Sequence, residues 1–146
     1  MKVPISTLLA AKQSKIFAIE ASATVLDAVK MMNNHTIGSL IILDKGKLIG
    51  IFTERDVLRR VVVPGIDANT TLVSQVMSPE VDTFSPDTSV TDALAHMNKF
   101  RHRHVPVMNG DEILGLISIG DITRWLSRHA QNEAQTLLNY FTGTYV

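Results

Sequence analysis

Two short stretches carry residue types that could do chemistry. Gly50-Ile51-Phe52-Thr53-Glu54-Arg55-Asp56 returns 65 residues later as Gly115-Leu116-Ile117-Ser118-Ile119-Gly120-Asp121. Each stretch is an apolar run, then a hydroxyl residue, two further residues and an aspartate. A strand that turns into a helix at such a point aims free backbone N–H groups forward, and the local dipole favours an anion. The hydroxyl of Thr53 or Ser118 adds a donor, and the carboxylate of Asp56 or Asp121 can accept both hydroxyls of a ribose. The same spacing also suits a capping box, which would stabilise the helix start by about 1 kcal/mol and bind nothing. Phe100-Arg101-His102-Arg103-His104 is the densest polar cluster. If extended, it sends the two arginines to one side and the two histidines to the other. Forked guanidinium donors suit a phosphate. A His-x-His pair can hold a metal, but no carboxylate or third histidine has evident reach along the sequence, so no metal is assigned.

The positioning elements repeat with the same shift. It aligns Val25 with Val90, Asp27 with Asp92, Ala28 with Ala93 and Met32-Asn33 with Met97-Asn98, the signature of one unit built twice. In the first copy Ile16–Ile19 reads as a strand, and Thr24 opens a helix with Asp27 as its capping-box partner. Ser39–Leu43 and Leu48–Phe52 read as a hairpin around Asp44–Lys47, and a helix runs from Thr53 to about Arg60. In the second copy the matching elements are a strand at Val81–Phe84, a helix from Ser89 to Lys99, strands at Val105–Met108 and Ile113–Ile117, and a helix from Ser118 to Arg128. Val3–Ala10 and Val73–Ser78 are helical lead-ins to the two copies. The expected fold is α/β (α+β): two β-α-β-β-α repeats, residues 1–66 and 67–128, packed with pseudo-twofold symmetry because neither half is large enough alone. Residues 129–146 form a separate helical tail, whose apolar Leu137, Leu138, Tyr140 and Phe141 should pack on the body or on a partner.

Composition bounds the function. Fourteen basic and fourteen acidic residues cancel, which argues against a nucleic-acid footprint built on net charge. The absence of cysteine removes disulfides, thiol catalysis and thiolate metal sites. No apolar run approaches the roughly 20 residues of a membrane span, and Met1–Ala11, with Pro4, Ser6 and Thr7, reads as structure rather than a leader. A soluble cytoplasmic protein is expected. His35, His96 and His129 are isolated in sequence, and Met31, Met32, Met97 and Trp125 read as core or interface. No nucleophile with a base and an orienting group can be found, so no enzyme is expected.

The pattern resembles a tandem pair of CBS domains. Gly38-Ser39-Leu40-Ile41-Ile42 with Gly46 to Asp56 looks like the family's signature, as does Arg103-His104-Val105-Pro106-Val107 with Leu114 to Asp121. The resemblance implies a disc with two clefts that take an adenosine-containing ligand: AMP, ADP, ATP, NAD or S-adenosylmethionine. It assigns Thr53, Asp56, Ser118 and Asp121 to ribose and phosphate, Arg103 and His104 to the phosphate beside the second motif, and Gly38 and Ser39 to the equivalent place in the first. Arg101 is the further phosphate candidate, and the first cleft is expected to lack an arginine; Arg55, Arg59 and Arg60 read as solvated helix residues. The family further implies a homodimer through the helices after Thr53 and Ser118, no catalytic cofactor, and an effector protein of unknown identity. The competing reading is an adaptor with empty clefts that acts through protein contacts.

Overall fold

The computed structural model describes residues 2–12, 15–79 and 81–143. Helix α1, Ile5–Lys12, is followed by strand β1, Ala18–Glu20, helix α2, Val25–His35, and the strands β2, Ser39–Asp44, and β3, Lys47–Thr53. A single α-turn, α3, Glu54–Asp56, runs on as a wider π-helical segment, Val57–Val62. After a 3₁₀ turn at Val73–Gln75 come helix α4, Val90–Phe100, strands β4, His104–Asn109, and β5, Glu112–Ser118, and the long helix α5, Ile119–Thr142.

The three-stranded sheet has the order β1-β2-β3, with β1 parallel to β2 and β2 antiparallel to β3. The β2–β3 hairpin turns through Lys45 and Gly46, both at positive φ (50° and 79°), the arrangement whose twist matches that of paired strands. The second repeat keeps only the β4–β5 hairpin. The strand expected at Val81–Phe84 shrinks to one parallel bridge, Phe84 to Val107, at the position equivalent to Ile19 beside Ile42. The reason is a single proline. In the first repeat Ile41 N–H donates to Phe17 O at 3.1 Å; the residue 65 later is Pro106, which has no N–H to give the Asp82 carbonyl.

Two apolar cores form, one per repeat, and the lead-in segments are exchanged between them. Ile5 and Leu8 of α1 pack with Phe84, Val90, Met97, Val105, Ile117 and Ile122 of the second repeat. Val73 and Val76 pack with Val25, Met32, Leu40, Phe52 and Val61 of the first. Ile5 N–H donates to Thr88 O, and Val73 N–H to Ala23 O, each at 2.8 Å. Each fully buried Ile, Leu, Val, Phe or Met in this set contributes roughly 1.5–3 kcal/mol. The repeats are contiguous in sequence, yet each lead-in completes the other repeat's core.

The separate tail expected from residue 129 is instead the second half of α5. No Gly or Pro falls between Gly120 and Gly143, so nothing ends the helix until Gly143 caps it at φ 68°. Ser127 to Leu138 are exposed throughout, so Leu137 and Leu138 do not pack back on the body. Residues 144–146 of the expected tail lie outside the described residues.

Candidate functional site

The two strand-to-helix turns are built alike. Ser39 pairs with Thr53 across the first hairpin and His104 with Ser118 across the second. Thr53 and Ser118 stay extended (φ −123° and −105°) and act as N-caps. Glu54 N–H donates to Gly38 O at 3.0 Å, and Ile119 N–H to Arg103 O at 2.9 Å, which locks each helix start to the strand beside it. Both motifs form complete capping boxes. Asp56 N–H donates to Thr53 Oγ1 at 3.3 Å while Thr53 N–H donates to Asp56 Oδ2 at 3.0 Å. The Ser118–Asp121 bonds are 3.0 and 2.9 Å. Thr24 and Ser89 each accept from Asp27 or Asp92 N–H, but those caps run one way only, and both aspartates are exposed. Asp56 and Asp121, by contrast, are 7% and 8% exposed. A carboxylate buried to that degree must be hydrogen-bonded or paired.

How each is satisfied separates the two turns. Asp56 accepts from Thr53 N–H and from Ser78 Oγ–H at 3.1 Å, with the Arg60 guanidinium 3.7 Å away. Thr53 Oγ1–H also donates to Asp56 Oδ2, at 3.3 Å, so the closest side-chain partners of Asp56 are two neutral hydroxyls. Asp121 holds two cations: Lys12 Nζ at 2.7 Å from Oδ2 and Arg124 Nη2 at 2.7 Å from Oδ1. Burial works to raise the Asp121 pKa, but Lys12 and the Ser118 backbone outweigh it and hold the group below the usual carboxylate range.

In front of the first turn lies a cleft of about 450 Å³ lined by Gly38, Ile51, Thr53, Glu54, Arg55, Asp56, Arg59, Arg60, Ser78, Val81, Asp82, Arg101, His102, Arg103 and His104. Five arginines face three carboxylates there. Arg60 is committed to the Val76 and Met77 carbonyls. Arg101 and Arg103 reach the cleft because α4 ends with Arg101 in the left-handed region (φ 57°), which reverses the chain. Their guanidinium groups make no hydrogen bond or ion pair with any described residue. His104 is kept neutral to lower pH by burial, against the pull of Asp121 and Glu54. A neighbouring hollow of about 400 Å³, lined by Val29, Met32, Ile37 and Val57, shares Gly38 and Glu54 with the cleft.

Arg103 and His104, expected beside the second motif, do flank it, Arg103 O accepting from Ile119 N–H and His104 pairing with Ser118; the arginine not expected beside Asp56 is present. The structure gathers Gly38, Thr53, Asp56, Arg101, Arg103 and His104 around the one cleft. Ser39 is buried in β2 at 5% exposure, outside the lining, as are Ser118 and Asp121, the latter paired with Lys12 at the end of α1. Ser78 was missed, since a lone serine 22 residues from Asp56 carries no local signal. Arg55 and Arg59, read as solvated, line the cleft as well.

A pseudo-symmetric pair of strand-hairpin-helix repeats with exchanged lead-ins and twin hydroxyl–aspartate turns defines a tandem regulatory module of the ligand-binding kind. The chain belongs to the CBS-domain family: the CBS domain matches residues 11–63 and 73–128. It is 39% identical over 127 residues to a mitochondrial CBS domain-containing protein of Arabidopsis thaliana, CBSX3, covering 84% of this chain and 62% of that protein. The chain therefore spans somewhat less than two thirds of that relative's length. A solved candidate signal-transduction protein with CBS domains from Burkholderia ambifaria superposes with a TM-score of 0.82 at 34% identity, covering 85% of this chain and 93% of that one. A hexameric CBS-CP12 protein from bloom-forming cyanobacteria gives 0.76 at 30% identity, covering 84% and 67%. Among the described residues no helix is long and apolar enough to cross a membrane.

Proposed function

We propose that the chain is a non-catalytic sensor that binds an adenosine-containing ligand (AMP, ADP, ATP, NAD or S-adenosylmethionine) in the cleft between Asp56 and the Arg101–Arg103 segment. The observation that carries this reading is the pair Arg101 and Arg103, whose guanidinium groups have no partner among the described residues, in a cleft that also holds the buried Asp56 carboxylate. The arginines suit phosphate, the carboxylate suits a ribose diol, and the apolar hollow sharing Gly38 and Glu54 suits a purine face. The cleft volume falls in the range of small-molecule sites, roughly 300–1,000 Å³. Asp121 is already paired with two cations at 2.7 Å, whereas the closest side-chain partners of Asp56 are neutral hydroxyls that a ribose diol can replace. A ligand signals here only through different affinity for two shapes of the module.

A thermal-shift panel of these ligands on wild type and Arg103→Ala tests the reading. A ligand at 100 times its Kd stabilises by about 2.7 kcal/mol, and the shift should disappear in the variant while the unliganded melting point holds. If none of the ligands shifts wild type, the sensor reading fails and an adaptor acting through protein contacts takes its place.

The assembly is proposed to be a homodimer through the segment after Thr53. Leu58, Val62 and Val63 are 58%, 63% and 75% exposed there, a contiguous apolar strip of the kind that marks an interface. The hexamer in the name of the CBS-CP12 relative shows that a similar fold can associate. Sedimentation of wild type and Leu58→Glu at matched concentration checks this, and a monomer for wild type overturns it.

A further inference from the structure

His96 and His102, separate in the sequence reading, converge with Asp82 at the rim of the cleft. His96 Nε2 lies 3.0 Å and His102 Nδ1 2.8 Å from the same carboxylate oxygen, Asp82 Oδ2. The three donor atoms lie within 4.8 Å of one another. Three different parts of the second repeat build the cluster. His96 is in the penultimate turn of α4. The left-handed Arg101 folds the chain back so that His102 N–H bonds to Met97 O at 3.1 Å, which returns the His102 ring to the same helix end. Asp82 precedes Phe84, which is pinned to β4.

The rings are held by aromatic neighbours. The Phe84 ring meets His96 edge-on at 5.4 Å, and Phe100 lies 4.6 Å from His96 and stacks on His102 at 6.2 Å. Both imidazoles thus direct a nitrogen at one acceptor. Without a cation, each must carry its proton on the inward nitrogen to bond Asp82. With a cation, those two nitrogens and the carboxylate are three ready ligands.

We propose that Asp82, His96 and His102 form a binding site for a first-row divalent cation, of which Zn²⁺ is the best fit. Two imidazoles and a carboxylate are a donor set suited to zinc. Bonds of about 2.0–2.2 Å in a tetrahedron put ligand atoms roughly 3.3 Å apart, so the 2.8 and 3.0 Å separations from Asp82 open by a few tenths of an ångström while the two nitrogens, within 4.8 Å of each other, settle to that spacing. Half-exposed side chains, 44% for Asp82, 34% for His96 and 42% for His102, leave an open fourth position for water. The site is independent of the nucleotide proposal, although Asp82 and His102 also line the cleft.

Titration of the metal-stripped chain with ZnCl₂ by calorimetry tests it, with no nucleotide present. One zinc per chain is expected. Asp82→Asn and His102→Gln, both at half-exposed positions, should each weaken binding by more than about 100-fold, beyond the 10–100-fold loss usual for a supporting residue. His129→Gln, which removes the exposed His129–Glu133 pair, should leave affinity unchanged. Circular dichroism of the variants checks that each remains folded. Failure of wild type to bind, or binding insensitive to Asp82→Asn and His102→Gln, overturns the site and leaves Asp82 as a hydrogen-bonded bridge between two rings.

Discussion

Lys12 Nζ sits 2.7 Å from Asp121 Oδ2 and 2.9 Å from Leu116 O, so the N-terminal helix closes the second copy of the motif whose first copy faces an open cleft. The asymmetry between two nearly identical turns comes from this exchange of lead-ins. Helix α1 packs on the second repeat and ends in a lysine, whereas the equivalent position beside Asp56 is taken by the neutral hydroxyl of Ser78.

Lys12→Met should destabilise the chain by about 1.5–3 kcal/mol, the range for a hydrogen bond to a charged group, read as a lower urea midpoint at unchanged m-value. The folded Asp121 pKa lies below its ordinary value, so the stability it contributes is complete above pH of about 4 and is lost as pH falls through the folded value. The difference between wild type and variant should therefore shrink on going from pH 7 to pH 3. An unchanged difference at the two pH values would show that Lys12 acts through packing rather than charge.

His104 adds its own loss of stability, at mildly acid pH. Its folded pKa is lowered, with burial the main cause, Asp121 and Glu54 partly opposing it, and Lys12 and Arg103 reinforcing it. In the unfolded chain His104 takes up a proton below pH of about 6.5, while in the folded chain it stays neutral to lower pH. Stability is thus unaffected above that value and declines as pH falls through it. Thermal melts from pH 7.5 to 5 should show a shallower decline in His104→Gln than in wild type.

Gly50 and Gly115 occupy matching positions 65 residues apart but should differ in tolerance. A Cβ at Gly50 would lie 2.9 Å from the Ser78 backbone carbonyl and collide with the Met77 sulfur; at Gly115 it would meet only the end of Leu9, at 2.7 Å. Ser78 O also accepts from Ile51 N–H at 3.0 Å and cannot move freely. Gly50→Ala should cost about 1–3 kcal/mol, the scale of overpacking, and Gly115→Ala distinctly less. Denaturant midpoints of the two variants decide it, and equal losses would refute the asymmetry.

Asp56→Ala and Asp121→Ala separate folding from binding at the two turns. Each loses its half of a capping box, about 1 kcal/mol, and Asp121→Ala additionally strands Lys12 and Arg124. Asp121→Ala should be the less stable protein in urea. Asp56→Ala should be the one that loses nucleotide-dependent stabilisation. A ligand shift that survives in Asp56→Ala and vanishes in Asp121→Ala would move the site to the second turn.

Much of the architecture was legible because the constraints were local. Periodic apolar positions, a two-residue turn through Lys45-Gly46, caps at Thr24, Thr53, Ser89 and Ser118, and the 65-residue echo all act over a few residues, and all recur in the structure. Two local signals were misread. The echo suggested a strand before Phe84, but Pro106 withholds the hydrogen bond that would extend it. A helix end was expected near Arg128, although no residue there breaks a helix.

The sequence by itself determined that the chain is one unit built twice, with a hydroxyl–aspartate turn in each copy, because those features are written in spacing. Only the tertiary structure decided which turn is open. Exchange of the lead-ins brings Lys12 to Asp121 across 109 residues and Ser78 to Asp56 across 22, and the reversal at Arg101 brings the Arg101–Arg103 segment to the cleft of the first turn. It also decided that His96, His102 and Asp82 meet. Such contacts depend on where apolar faces of distant segments bury each other, and that is a property of the packed chain rather than of any stretch within it.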